Sequence, residues 1–126
     1  MKRLLCILLC FVFYTNVIGA LSCSRERFNE KVNVSSICKS EVSNFKENQY
    51  LPINNEMFLD AIKSSKRTYA KFIPHKQVVL YDKNGKTYML FFSEDNRVFH
   101  SIEGDFKLSK RNALIVSKLF TVLDLQ

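Results

Sequence analysis

Two histidines, His75 and His100, are the side chains of this chain best suited to proton transfer near neutral pH. Together with Glu94 they form a candidate set for phosphodiester cleavage, with Arg97 or Glu103 as a further charged partner. His100, however, lies on an apolar strand face, where a histidine is more often packed than catalytic. Glu94 lies in a polar turn, where charges are common, and His75 is expected to be exposed. Catalysis by His75, Glu94 and His100 is therefore one hypothesis, but the sequence does not require it.

Other enzyme signatures are missing from the sequence. It contains no glycine-rich phosphate loop, no Gly-x-Ser-x-Gly elbow and no ligand spacing typical of zinc, so we expect neither a metal nor a cofactor. With 126 residues, of which 47% are apolar, the chain is long enough for one globular domain and too short for a multidomain enzyme.

The chain is basic, with 19 Lys and Arg against 12 Asp and Glu and a net charge of +7. Several of these cations surround two aromatic side chains, Tyr69 and Phe72, an arrangement suited to a phosphate backbone and stacked bases. The alternative is a solvated face that keeps the protein soluble. The residues that we expect to bind a macromolecule are Lys66, Arg67, Tyr69, Lys71 and His75, and a second cluster contains Lys107, Lys110 and Arg111.

Residues 1–20 have the layout of a secretory signal peptide. Two basic residues precede an apolar run at 4–14, and small residues end at Ala20. A spanning helix needs about 20 apolar residues, so no stable membrane anchor is expected. Cleavage after Ala20 removes two basic residues and leaves one secreted domain, 21–126, with 17 basic and 12 acidic side chains and a net charge of +5.

Cleavage also removes two of the four cysteines, so Cys23 and Cys38 have a single intramolecular pairing. From Phe28 onward, apolar residues recur at spacings of three and four, which predicts a first helix with Asn29 as its N-cap. A helix from Phe28 to Cys38 rises about 15 Å, and an extended segment from Cys23 to Phe28 reaches about 16 Å. A disulfide can therefore close, and free or intermolecular thiols are the alternative. The predicted helix face contains Phe28, Val32, Ser35, Cys38, Val42 and Phe45.

Asn33, Val34 and Ser35 form a sequon for N-glycosylation, which makes Asn33 a candidate modification site in an exported protein. Asn33 lies off the predicted apolar face, whereas Ser35 lies close to it. Three-residue sequons also arise by chance, so an unmodified Asn33 is the alternative.

Two further helices are predicted. Asn54 or Asn55 caps the first of them after an extended segment at 47–52, and its polar end lies at 64–67. In the tail, 105–126, the apolar positions 116, 119, 120 and 123 favour a helix, although β-branched residues also suit a strand. The apolar stripe of the first of these helices contains Met57, Phe58, Ala61, Ile62 and Ser65.

Asn84-Gly85 separates two β-branched and aromatic runs and predicts a hairpin with a two-residue type I′ turn. A third antiparallel strand is expected at 97–102 and ends at 103–105. The fold class is therefore α+β, with an N-terminal helix and a second short helix packed on a small antiparallel β-meander. The predicted hairpin register places Tyr81 opposite Tyr88, Leu80 opposite Met89 and Val79 opposite Leu90.

The order of these features resembles the ribonuclease-like secreted effectors of powdery mildew fungi. Residues 72–74, Phe-Ile-Pro, match the aromatic-x-Pro segment of that family, 87–92 match its central strand, and 98–104 match its last strand. The resemblance covers about residues 21–104. It implies a ribonuclease-like fold similar to the fungal guanyl-specific ribonucleases, in which a helix packs on an antiparallel sheet.

The chain departs from that family at positions that matter for catalysis. Thr87 or Tyr88 stands where the active ribonucleases place an arginine, and Glu103 or Gly104 stands where they place the final histidine. The family's late cysteine is absent, and Leu-Ser-Cys replaces its usual Tyr-x-Cys start. Without the arginine and the histidine, the transition state gains neither charge stabilisation nor a proton donor. The resemblance therefore implies a catalytically silent relative.

Three hypotheses follow for the function. The first is a secreted, monomeric, non-enzymatic effector that binds a host protein or RNA and modulates host defence, with delivery into host cells as a further step. The second is an active secreted ribonuclease that uses His75, Glu94 and His100. The third is a secreted toxin-like or ligand-binding domain in which the apolar tail closes a pocket.

Overall fold

The structure, a computed structural model, describes residues 26–45 and 49–125. The predicted signal peptide and Cys23 lie outside the described residues, so the signal peptide and the disulfide of Cys23 remain predictions. Within these ranges the helices are α1 (Phe28–Lys31), α2 (Asn55–Ile62) and α3 (Lys110–Leu119), with 3₁₀ turns at Val34–Ser36 and Phe120–Leu125. The strands are β1 (Ile37–Ser43), β2 (Leu51–Pro52), β3 (Lys66–Thr68), β4 (Lys76–Asp82), β5 (Thr87–Phe92), β6 (Val98–Ser101) and β7 (Gly104–Lys107).

These strands form one antiparallel sheet in the order β2-β1-β4-β5-β6-β7-β3. Strands β4 to β7 are a meander, because each pairs with the next strand along the chain. Strands β1 and β3 come from the first half of the described chain and join opposite sides of that meander. The predicted α+β class is confirmed, although the sheet is larger than the small meander that was expected.

The core lies between one face of the sheet and the helices α2 and α3, and we call this face helix-covered. Phe92 lies at its centre, with its ring centroid 5.9 Å from that of Phe58 in α2 and 5.3 Å from that of Phe120 after α3. Burial of one large apolar side chain stabilises a fold by about 1.5–3 kcal/mol, so this core determines which strand face is covered. Its fully buried strand residues are Val42, Val78, Leu80, Leu90, Phe92, Phe99 and Phe106.

The prediction of a first helix that continues to Phe45 is wrong, because α1 ends after one turn at Lys31. The chain then makes a 3₁₀ turn and continues as β1, in which Ser40 and Val42 are buried. These two positions fit an alternating strand pattern, and pairing with β2 and β4 satisfies the backbone of β1 on both sides. Phe28 remains buried in α1 as the first residue of the predicted stripe.

This correction removes the geometric argument for the Cys23–Cys38 disulfide, because that argument used the rise of a helix between Phe28 and Cys38. The disulfide itself stays a prediction, since Cys23 is not among the described residues. In the structure Cys38 is an exposed thiol whose Sγ donates to the backbone oxygen of Tyr81 at 3.4 Å.

The sequon at Asn33 lies on the surface. Asn33 and Ser35 are both exposed, so the expectation that Ser35 lies near a buried face is wrong. The Ser35 Oγ donates to the Asn33 Oδ1 at 2.6 Å, within the 3₁₀ turn that replaces the predicted helix. Glycosylation of Asn33 stays a prediction.

The other two predicted helices are confirmed, and both have side-chain N-caps. The Asn54 Oδ1 accepts from the backbone N of Met57 at 3.0 Å, and the Ser109 Oγ accepts from the backbone N of Asn112 at 3.2 Å. Met57 departs from the predicted stripe, because it is 51% exposed. The predicted polar end at 64–67 is wrong in its second half, because Lys66 begins β3.

Strands β4 and β5 form the predicted hairpin, but its turn differs from the prediction. The Asp82 Oδ1 accepts from the backbone N of Asn84 and of Lys86, each at 2.8 Å, and Gly85 has a φ of 84°. A type I′ turn requires positive φ at both central residues, whereas Asn84 has no positive φ here. The register therefore shifts by one residue and pairs Tyr81 with Thr87, Leu80 with Tyr88, Val79 with Met89 and Val78 with Leu90.

The third antiparallel strand is confirmed as β6, but the chain does not leave the sheet at 103–105. It turns at Ile102 and Glu103 and returns as β7, which begins at Gly104 with a φ of 133°. Because β7 also pairs with β3, the sheet extends beyond the predicted meander.

Candidate functional site

The sheet face opposite the helices, which we call the open face, carries a row of polar and aromatic side chains, of which Ser43 and Gln77 are buried. Residues that are paired across antiparallel strands share one face of the sheet, so the register identifies the members of this row. From one side of the sheet to the other they are Ser43, Gln77, Phe91, His100, Asp105 and Thr68. A neighbouring row on the same face contains Val98, Lys107 and Lys66.

His100 lies in this row and its Nδ1 is hydrogen-bonded to the Oδ1 of Asp105 on the next strand. The His100 side chain is 59% exposed, so the expectation that it is packed is wrong. The alternation along β6 is as predicted, but its buried face is the one formed by Phe99 and Ser101. An ionised carboxylate only accepts hydrogen bonds, so the Nδ1 carries the proton and the Nε2 of a neutral ring is left as an acceptor.

The connection between β3 and β4, residues 69–75, crosses the open face. Strands β3, β4 and β6 run in the same direction because each is antiparallel to the strands between them. The chain must therefore return from the end of β3 to the start of β4, past β5, β6 and β7. With His100 and Asp105, this connection encloses a depression of about 230 Å³, whose other lining residues are Ala70, Lys71, Phe72 and Pro74.

A second depression of about 430 Å³ adjoins the first, and Phe72 lines both. Its other lining residues include His75 and Glu94, so the structure brings these two together and places His100 in the neighbouring depression. His75 is exposed, as predicted. Arg97 has a structural partner instead, since its Nε donates to the backbone oxygen of Leu108 at 3.0 Å.

Lysines that lack ion-pair partners lie beside this site. Lys66 and Lys107 are directly opposite each other on β3 and β7, and both are exposed. Within the described ranges, neither of them nor Lys71 forms an ion pair. Like charges directly opposite each other destabilise a sheet, so a bound anion at this corner would relieve a repulsion.

Arg67 points away from this corner, because it pairs in register with the core residue Phe106. Its Nη1 lies 3.0 Å from the Glu26 Oε2, and the Nζ of Lys31 lies 3.3 Å from the same atom. Hydrogen bonds from Lys31 and Arg67 lower the pKa of Glu26. The charge of Arg67 is thus balanced by Glu26, whereas Tyr69 follows β3 and is 90% exposed.

Two aromatic side chains extend the row of His100. The ring of Phe45 stacks on that of Phe91, with 6.2 Å between centroids and an interplanar angle of 3°. Phe91 lies next to His100 across β5 and β6, with their ring centroids 6.5 Å apart. Sequence reasoning missed Phe91 and Asp105 as site residues, because only the strand register places them beside His100. It also missed Phe45, which it assigned to the first helix.

Lys76 directly follows His75 in the sequence but lies on the helix-covered face, where it pairs in register with Phe92. Its Nζ lies 5.4 Å from the ring centroid of Phe120 and donates to the Asn96 Oδ1 at 3.3 Å. Burial lowers the pKa of Lys76, although Asp124 and Glu94 act in the opposite direction. Lys76 therefore contributes to packing rather than to the open face.

Among residues 26–45 and 49–125, no three His, Cys, Asp or Glu side chains lie close enough together to hold a metal ion. Across the same ranges, every helix falls short of the length and apolarity needed to cross a membrane. Comparisons with protein-family models, with curated protein sequences and with solved structures found no match.

Proposed function

We propose that the chain is an exported, effector-like protein that binds single-stranded RNA of a host on its open face and does not cleave it. The observation that carries the proposal is the group of lysines without ion-pair partners in the described ranges, placed around His100. Export and the effector role rest on the predicted signal peptide and on the resemblance to the powdery mildew effectors.

RNA fits this face better than a protein partner does. Lys66 and Lys107 repel each other, and phosphate groups that bind between them would remove that repulsion. Lys71 lines the adjoining depression together with His100 and provides another donor for phosphate oxygens. The aromatic pair Phe45 and Phe91 lies on the same face, and bases stack on such rings.

Ribonuclease activity is the second candidate, and the hydrogen bond between His100 and Asp105 favours it. The carboxylate orients an exposed imidazole, and Lys71 lines the same depression. Cleavage also needs a second proton-transfer group near the same phosphate. His75 and Glu94 line the adjoining depression rather than that of His100, so we rank binding first.

The binding proposal predicts a salt dependence that two lysines control. Affinity of the mature protein for a fluorescent, unstructured RNA is measured over a range of salt concentrations, for the wild type and for Lys66→Gln/Lys107→Gln. Each lost phosphate contact to a single strand lowers the log–log slope by about 0.7, so the slope should fall by about 1.4. The matched control is Lys83→Gln/Lys118→Gln, which removes two exposed charges elsewhere.

Equal slopes for the two double variants would contradict the proposed interface. The same samples are also inspected for RNA cleavage after long incubation. Intact RNA agrees with a binding protein. Cleavage that disappears in His75→Ala/His100→Ala would instead establish the ribonuclease candidate.

A further inference from the structure

We infer that Phe45, stacked on Phe91, is a base-stacking subsite, so that the open face takes RNA with at least one unpaired base. This inference rests on the proposed function and adds the position and the strandedness of the ligand. It concerns the side of the row away from the lysines, where Phe91 separates Phe45 from His100.

The backbone of Phe45 is unusual and holds an aromatic ring in solvent. Its φ is 70°, in a region that residues other than glycine, asparagine and aspartate rarely adopt. The other described residue of this kind is Asn96, whose residue type tolerates such angles. Phe45 nevertheless stays 45% exposed, so burial does not account for this conformation. Within the described part of the chain, its ring stacks in parallel on that of Phe91.

Phe91 connects this stack to the cationic part of the site. Phe91 and His100 are direct cross-strand partners, so the stack lies one strand away from the depression of His100 and Lys71. A nucleotide whose base lies on Phe45 can therefore direct its backbone toward Lys71 and, further along, toward Lys66 and Lys107. The arrangement combines a stacking platform with a basic path, which is how single strands are bound without sequence readout.

Strandedness separates this inference from simple attraction between charges. Lysines bind any polyanion, whereas a stacking subsite needs a base that is not already stacked and paired within a duplex. We therefore expect the unstructured RNA to bind more tightly than a duplex of the same length. Inorganic polyphosphate should bind through the lysines alone.

The test uses the absence of tryptophan from the sequence. Phe45→Trp introduces a single tryptophan, and its fluorescence is followed during titration with the unstructured RNA, the duplex and polyphosphate. The matched control is Leu114→Trp, at an exposed position of α3. We expect quenching by the unstructured RNA in Phe45→Trp alone. In a parallel titration, Phe45→Leu should lose about 5- to 150-fold in affinity for that RNA and none for polyphosphate.

The outcomes distinguish this inference from the proposed function. If the RNA binds through the lysines but neither quenches Phe45→Trp nor binds Phe45→Leu more weakly, the stacking subsite is wrong and the proposed function stands. Equal affinity for duplex and single strand would also overturn the subsite. If the wild type binds no RNA at all, the proposed function itself fails.

Discussion

Asp95 organises the turn between β5 and β6 and lines the same depression as His75. Its Oδ1 accepts from the Ser93 Oγ at 2.8 Å and from the backbone N of Arg97 at 3.1 Å. The hydrogen bonds from Arg97 and Ser93 lower the pKa of Asp95 below its ordinary value of 3.8, against a smaller opposing effect of burial. Because the pKa of Asp95 is lowered by folding, the ionised carboxylate stabilises the folded state.

Asp95→Ala should lower the free energy of unfolding by about 1 kcal/mol at pH 7, because an exposed turn loses two hydrogen bonds. The folded pKa is the lower one, so the contribution is complete above pH 3.8 and is lost as the pH falls through the folded value. Urea unfolding at several pH values measures this. The difference from wild type should shrink in acid, while Glu94→Ala should show little effect. A difference that stays constant down to pH 2 would contradict this role.

At the scale of elements, the sequence predicts those parts whose signals are local. Helices α2 and α3 each have an N-cap and a stripe, and the pair Asn84-Gly85 marks a hairpin. Strand β1 was predicted as a helix because its spacing fits both periods, and pairing with a distant strand, β4, decides between them. Backbone pairing between segments far apart in sequence leaves no local signal, which also explains why the pairing of β7 with β3 was missed.

The β4–β5 turn offers a test at this scale that compares two neighbouring residues. Gly85→Ala should lower the free energy of unfolding by about 1–2 kcal/mol, because φ is 84° there. An added Cβ meets no atom within 4 Å, so this cost comes from the backbone angle alone. Asn84→Ala should cost less than about 0.5 kcal/mol, because Asn84 has no positive φ. Thermal or urea unfolding of both variants measures this. Similar losses for both would instead indicate a type I′ turn.

For the molecule as a whole, the fold separates the helix-covered core from the face that we propose binds RNA. The helices and the buried phenylalanines lie on one side of the sheet, and the open face with its crossing connection lies on the other. A substitution on the open face therefore changes binding with little effect on the core. This separation is what allows the lysine and aromatic variants to test function rather than folding.

The site itself was predicted in part. Lys66, Lys71 and His75 were chosen from the sequence as binding residues because basic and aromatic residues cluster there, and the structure places all three at the two depressions or beside them. Arg67 was also chosen from the sequence, but it does not lie at the site. Successive residues of a strand face opposite sides of the sheet, and Glu26 balances the charge of Arg67. The partners of His100 depend on the register of β5, β6 and β7. A one-residue error in either of the turns that connect these strands changes the partners.

The central claim is that the open face binds RNA, and an NMR titration of the mature protein with the unstructured RNA tests it most directly. The account predicts that the largest shifts of backbone amide and ring resonances occur at Lys66, Phe91, His100 and Asp105. It predicts small shifts at Ala113 and Val116, which lie on the buried side of α3. Binding with its largest shifts on α2 and α3, or no shifts at all, would contradict the account.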